Sequence, residues 1–209
     1  MNASFDQLCR RISDLLQARG RLAVALDGCC ASGKTTLARR LARELEADVV
    51  PMDDFFLPPK LRMPDRLSQP GGNVHYERFS AQIIDPLLAA KRAGGEKGAP
   101  ASKRWPVLTW DRFDCSLMDF AQEPRATAGR SLLIIEGAYC MRPEFRAAYD
   151  LAFCLSVAPE IQKQRILSRN GPDRWPAFRD RWIPMENRYL DFYRIPELCE
   201  PLILQSDGQ

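Results

Sequence analysis

The residues best suited to chemistry stand together at Gly28-Cys29-Cys30-Ala31-Ser32-Gly33-Lys34-Thr35-Thr36. Two glycines five positions apart, followed by a lysine and a hydroxyl residue, describe a loop that can wrap a polyphosphate. Gly28 and Gly33 let the backbone curl with no side chain in the way. The amides of residues 29–35, including those of Ala31 and Ser32, can then turn inward onto phosphate oxygens. The helix starting near Gly33, with Thr36 in its first turn, adds its positive end. Lys34 supplies a compact charge for β- and γ-phosphates, and the Thr35 hydroxyl suits a magnesium ion. Cys29 and Cys30 read as small residues filling a tight turn, in a place where a helix N-terminus can also lower a thiol pKa.

Carboxylates recur where such a loop needs them. Asp53-Asp54-Phe55-Phe56 follows the run Val49-Val50-Pro51-Met52, and Glu136-Gly137 follows Ser131-Leu132-Leu133-Ile134-Ile135. Ligands of open α/β sheets bind beyond the carboxyl ends of the strands. A carboxylate there can accept the proton of an attacking hydroxyl, the role expected of the Asp53-Asp54 pair. A second, Glu136, can help hold Mg²⁺ directly or through water. Arg165 and Arg169, four apart on one helix face, can neutralise a transferring phosphoryl group. Arg174, Arg179 and Arg181 read as solvated charge. His75 is the only histidine and a candidate for contact with a substrate.

These groups need a scaffold, and the apolar pattern supplies one. Leu22 to Leu26, Val49 to Met52, Ser131 to Ile135, Asp150 to Val157 and Pro201 to Leu204 read as strands, with Pro51 marking an edge or strand end. Trp105 to Trp110 is a candidate short strand. Helices are expected over residues 4–19, from Gly33 to about Glu46, from about Ser80 to Arg92, and after Pro159. About five strands alternating with helices predict a mainly parallel central sheet covered on both faces: a three-layer αβα, P-loop NTPase architecture in one domain spanning 1–209. Residues 57–79, rich in proline and glycine at first, form a long connection at the substrate side. Gly94 to Pro100 is expected to be a flexible loop. Residues 169–184, with the breaker Gly171-Pro172, read as a lid.

The chain has 209 residues, 45% apolar and 27% charged, with a formal charge of +3. Basic residues are interspersed with acidic ones, which argues against a nucleic-acid binder. No apolar run approaches a membrane span, and no basic segment leads into an apolar one at the start, so neither membrane insertion nor export is expected. Seven cysteines without a C-x-x-C pair, and a single histidine, fit reduced thiols in a cytoplasm better than disulfides or zinc.

With these residues in place, the chain resembles the uridine kinase-like branch of the P-loop kinases, which includes phosphoribulokinase, bacterial pantothenate kinase and nicotinamide riboside kinase. The resemblance spans Leu22 to Leu204 and rests on Gly28 to Thr36, Asp53-Asp54-Phe55-Phe56, Glu136-Gly137 and Arg165-x-x-x-Arg169. It implies ATP and Mg²⁺ as cofactors, Asp53 over Asp54 as the base, and a nucleoside such as uridine or cytidine as acceptor. Substrate contacts are then expected from Asp53, His75, Tyr76, Asp114 and Glu136, metal contacts from Thr35 and Glu136, and catalysis from Lys34, Asp53, Arg165 and Arg169. The chain departs from uridine kinases at Asn73-Val74-His75-Tyr76, where they carry Asp-His-Pro, and at Arg169-Asn170, where they carry Arg-Asp. Pantothenate, nicotinamide riboside or a sugar acid are the alternative acceptors. A nucleotide-dependent switch that hydrolyses ATP for a partner is the alternative class, and homo-oligomers are frequent in the family.

Overall fold

The computed structural model describes residues 2–94 and 102–204. Six parallel strands form the central sheet: β1 (Asn2–Ala3), β2 (Leu22–Gly28), β3 (Asp48–Pro51), β4 (Leu132–Glu136), β5 (Leu151–Leu155) and β6 (Glu200–Leu204), ordered β1-β6-β5-β2-β4-β3. The five expected strands are all there, and the two-residue β1 adds a sixth at one edge. β3, with Pro51, is the other edge. The hydrogen-bonding sides of β2 are taken by β4 and β5. Both of its faces are covered too, and all seven of its residues are buried.

Alternation along the strands splits the core into two layers. Ala23, Ala25, Leu133 and Ile135 face one way, onto Phe79, Ile83, Leu87, Trp105 and Phe145. Leu22, Val24, Leu26, Leu132 and Ile134 face the other, onto Leu8, Ile12, Leu37 and Leu41. Helix α1 (Phe5–Arg19) and helix α2 (Lys34–Glu44) carry that second set. Helix α1 opens with a reciprocal cap, in which Ser4 Oγ accepts from the Gln7 amide and Gln7 Oε1 accepts from the Ser4 amide.

The helix expected from Ser80 begins earlier. Tyr76–Phe79 is α-helical, Ser80–Ile84 is a π-turn, and α3 (Asp85–Ala93) completes it. Pro86 donates no amide, which suits it to the start of α3. Trp105 to Trp110 is not a strand of the sheet. Only Thr109–Trp110 is extended, and it pairs with Arg125–Ala126 in a separate two-stranded ladder, while Phe113–Asp114 pairs with Asp119–Phe120. The rest of that stretch is held by single contacts, such as Trp105 Nε1 donating to the Leu22 carbonyl. Beyond Gly94, the loop expected to end at Pro100 lies outside the described residues.

The proline-rich connection is ordered and closed at its base. Leu57 N donates to Asn73 O, and His75 N donates to Phe55 O. Gly72 is required there, since a Cβ would lie 1.7 Å from the Arg66 carbonyl oxygen. The lid is helical throughout. After α4 (Pro159–Asn170), 3₁₀ residues Pro172–Arg174, the turn Trp175–Ala177 and a π-turn Phe178–Trp182 lead into α5 (Ile183–Phe192). Among the described residues no helix is long and apolar enough to cross a membrane.

Candidate active site

The direction in which strands are added reverses at β2: β4 and β3 lie on one side of it, β5 and β6 on the other. A crevice opens at such a switch point, beyond the carboxyl ends of the strands. Here it is a cavity of about 1410 Å³ walled by the phosphate loop, Asp53, Glu136, the proline-rich connection, α4 and the lid.

The loop leaves β2 at Gly28, whose φ of 128° only glycine adopts readily; a Cβ there would lie 2.0 Å from the Leu155 carbonyl oxygen. Ala31 and Gly33 also have positive φ, 57° and 103°, so the chain bends around its own amides. Lys34 Nζ donates to the carbonyls of Gly28 and Cys29 at 2.9 and 2.7 Å. Gly28 therefore acts from outside the cavity wall, through its conformation and this carbonyl, whereas Ala31, Ser32, Gly33, Lys34, Thr35 and Thr36 line it. The Thr35 hydroxyl lies 3.1 Å from both oxygens of Glu136. Burial, and next the charge of Asp53, push the Glu136 carboxyl above its usual range.

Asp53 and Asp54 part company on the 3₁₀ turn Met52–Phe55. Asp53 lines the cavity. Solvent reaches it through the opening, yet protein crowds it on most sides, and that desolvation raises its carboxyl against the pull of Lys34 and Arg169. Asp54 points away and is buried, accepting from Trp110 Nε1 at 2.8 Å and from Arg125 at 3.0 Å. Of the pair only Asp53 thus faces the cavity, and Asp54 anchors the ladder of Trp110 and Arg125.

The arginines of α4 reach the loop from above. Arg165 Nη1 donates to the Ala31 carbonyl at 2.9 Å, and Arg169 lines the cavity with its Nε on Asn170 Oδ1. Arg174 and Arg181, read from sequence as solvated charge, also line the cavity; Arg179 pairs with Asp180 outside it.

Three expected substrate residues are elsewhere. His75 caps Tyr76–Phe79, its Nδ1 accepting from the Arg78 amide at 3.3 Å. Tyr76 is buried against Phe145 and Arg142. Asp114 accepts from Ser116 and Arg112 on the outer ladder. Chain direction turns each away, and their neighbours Asn73, Cys115 and Ser116 line the cavity instead. Asn73 Oδ1 is buried there without a hydrogen-bond partner among the described residues. The thiol pKa of Cys29 and of Cys30 is raised by burial, which outweighs any help from the helix end.

Two carboxylates escaped the sequence reading. Asp27 is wholly buried under the loop, its Oδ1 accepting from Gly28 N (2.6 Å) and Tyr139 N (3.2 Å), its Oδ2 from Met141 N (2.9 Å) and the Tyr189 hydroxyl (2.7 Å). An acidic residue closing an apolar run was the signal for it. Glu186, three residues before Tyr189 on α5, accepts from the Cys30 amide at 2.7 Å and lines the cavity. Helix α5 is therefore bolted to the phosphate loop twice, directly after the lid. Gln162 adds a third tie, donating to the Cys30 carbonyl.

No family model matches the chain, and no curated protein does. Solved structures do. A possible uridine kinase from Bacillus stearothermophilus matches with a TM-score of 0.66 at 22% identity, over 95% of this chain and 96% of that one. YFH7 from Saccharomyces cerevisiae, a candidate P-loop containing kinase with a circular permutation, matches with a TM-score of 0.67 at 14% identity, over 99% and 100%. The chain has the P-loop kinase fold. D-glycerate 3-kinase from Cryptococcus neoformans shares it at a TM-score of 0.50 and 14% identity, over 91% and 90%.

The donors suit magnesium triphosphate. Among the described residues no cluster of three or more His, Cys, Asp or Glu side chains could hold a metal alone. The pocket offers the cation one hydroxyl and one carboxylate, Thr35 and Glu136, the partial set taken by Mg²⁺ bound mainly through phosphates and water.

Proposed function

We propose that this P-loop kinase fold serves an ATP- and Mg²⁺-dependent small-molecule kinase that transfers the γ-phosphoryl group to an alcohol. The observation that carries the reading is the placement of Asp53. Among the described residues Asp53 makes no hydrogen bond, and its carboxylate, open to solvent on one side, faces the same cavity as the phosphate loop, near Lys34 and Arg169.

The roles follow from the geometry. Loop amides and Lys34 hold the phosphates, and Thr35 with Glu136 holds the magnesium ion. That ion, when bound, neutralises phosphate charge. Asp53 accepts the proton of the acceptor hydroxyl and orients its oxygen for in-line attack. Arg169 supplies positive charge over the phosphoryl group as the lid closes, while Arg165 steadies the loop through Ala31. The sequence resemblance points to a nucleoside acceptor. A cavity of about 1410 Å³ that Asp53 shares with the phosphate loop favours a second small substrate over a hydrolytic switch, since a switch needs only a positioned water.

The test is ADP release with Mg-ATP across nucleosides, pantothenate, nicotinamide riboside and sugar acids, with product masses determined. A compound that gains one phosphate establishes the reaction. Slow ADP release that no compound stimulates would favour the switch.

A further inference from the structure

Seven cationic side chains line the cavity against three carboxylates. Among the described residues Lys34, Arg62, Arg165, Arg169, Arg174 and Arg181 make no ion pair, whereas several arginines elsewhere are paired, as in Arg11–Glu200, Arg66–Glu77 and Arg125–Asp54. A magnesium triphosphate carries a net charge of about −2 and offsets part of the surplus. The rest awaits another anion.

Two of these cations stand apart from the phosphate loop. Arg62 projects from the proline-rich connection, its Nε donating to the Leu57 carbonyl at 2.8 Å and its guanidinium 5.7 Å from the Phe113 ring. Its Nη groups donate to nothing among the described residues. Arg181 comes from the lid, held 4.7 Å over the Trp182 ring. The two charges bear on one another across the cavity: burial, then Arg181, lowers the Arg62 pKa. Cys115, whose thiol is raised first by burial and feels the charges of Asp53 and Arg62, lines the same cavity as both. Two guanidinium groups that line one cavity and make no ion pair among the described residues can take an anion between them, and forked guanidinium groups match oxyanions best.

We propose that Arg62 and Arg181 form an oxyanion clamp for the acceptor, so that the alcohol phosphorylated here also carries a carboxylate or phosphate group. This rests on the kinase reading above, and it favours an acidic acceptor over a neutral nucleoside.

Two experiments test it. In the first, malonate or inorganic phosphate is titrated at constant ionic strength into protein saturated with Mg²⁺ and a non-hydrolysable ATP analogue. One further oxyanion should bind saturably, and Arg62→Gln or Arg181→Gln should each weaken it about tenfold or more, as loss of a charge-assisted contact does. Affinity for the analogue should stay within about threefold. Absence of a saturable anion site, indifference to both substitutions, or an equal loss of nucleotide affinity would overturn the clamp. In the second, acceptors are offered in matched pairs: glycerate with glycerol, pantothenate with pantothenyl alcohol, ribose 5-phosphate with ribose. The anionic member should be preferred, and which pair responds separates carboxylate from phosphate. Preferential phosphorylation of uridine or another neutral compound would leave the kinase standing and remove the clamp. Failure to bind the ATP analogue would instead sink the kinase reading.

Discussion

Replacing Asp27 by Asn isolates the joint that ties the phosphate loop to α5. The side chain keeps its shape but exchanges an acceptor for a donor. Oriented with its oxygen on Gly28 N and Tyr139 N, the amide presents Nδ2 where Oδ2 now accepts from Met141 N and the Tyr189 hydroxyl. Tyr189 can still accept from Met141 N, 3.0 Å away, and from Nδ2, but its own O–H is then buried without a partner. One orphaned donor costs about 1–3 kcal/mol, and weakening the remaining charge-assisted bonds adds about 1 kcal/mol, so a loss of about 2–4 kcal/mol is expected. For a chain of 209 residues this lowers Tm by about 4–16 °C. Urea unfolding should show a lower midpoint with an unchanged slope. Tyr189→Phe removes that orphan but leaves Met141 N without either of its acceptors in the double variant, so adding it to Asp27→Asn should recover no stability. An Asp27→Asn effect below about 1 kcal/mol, or a double variant more stable than Asp27→Asn alone, would refute the joint.

Asp53→Asn should reduce the rate of transfer by roughly 10² to 10⁴ with little change in ATP affinity, measured by steady-state kinetics once the acceptor is known. The raised carboxyl of Asp53 also sets a sign. The base acts only when ionised, so kcat should fall on acidification at a pH above that of an ordinary aspartate, and the substitution should remove that limb. Asp54→Asn should instead act on stability, costing about 1–3 kcal/mol through Trp110 and Arg125 while leaving the affinity for the ATP analogue unchanged. His75→Ala should cost about 1 kcal/mol as a lost cap and leave the acceptor KM within about twofold, both read from denaturation and kinetics. A large rise in KM for that variant would return His75 to the pocket.

The phosphate loop was legible because its chemistry is local. Glycine freedom at 28 and 33, the lysine and the hydroxyl are consecutive, and the apolar runs on either side name the strand and helix. Strands β2, β4 and β5 were legible for the same reason, being continuous apolar runs buried on both faces. The 3₁₀ turn decided between Asp53 and Asp54, because two adjacent carboxylates differ only in which way the backbone points them. Asp54 meets Arg125 across 71 positions, Glu186 meets Cys30 across 156, and Tyr189 meets Asp27 across 162. No periodicity reports such pairings. Likewise, nothing in the types of His75, Tyr76 and Asp114 shows that they face away from the cavity, or that Arg174 and Arg181 face into it. Residue type and spacing determined that this chain can cradle a triphosphate. Only the folding of the lid and the proline-rich connection over that cradle decided which charges face the cavity, because those two segments are joined through space and not along the chain.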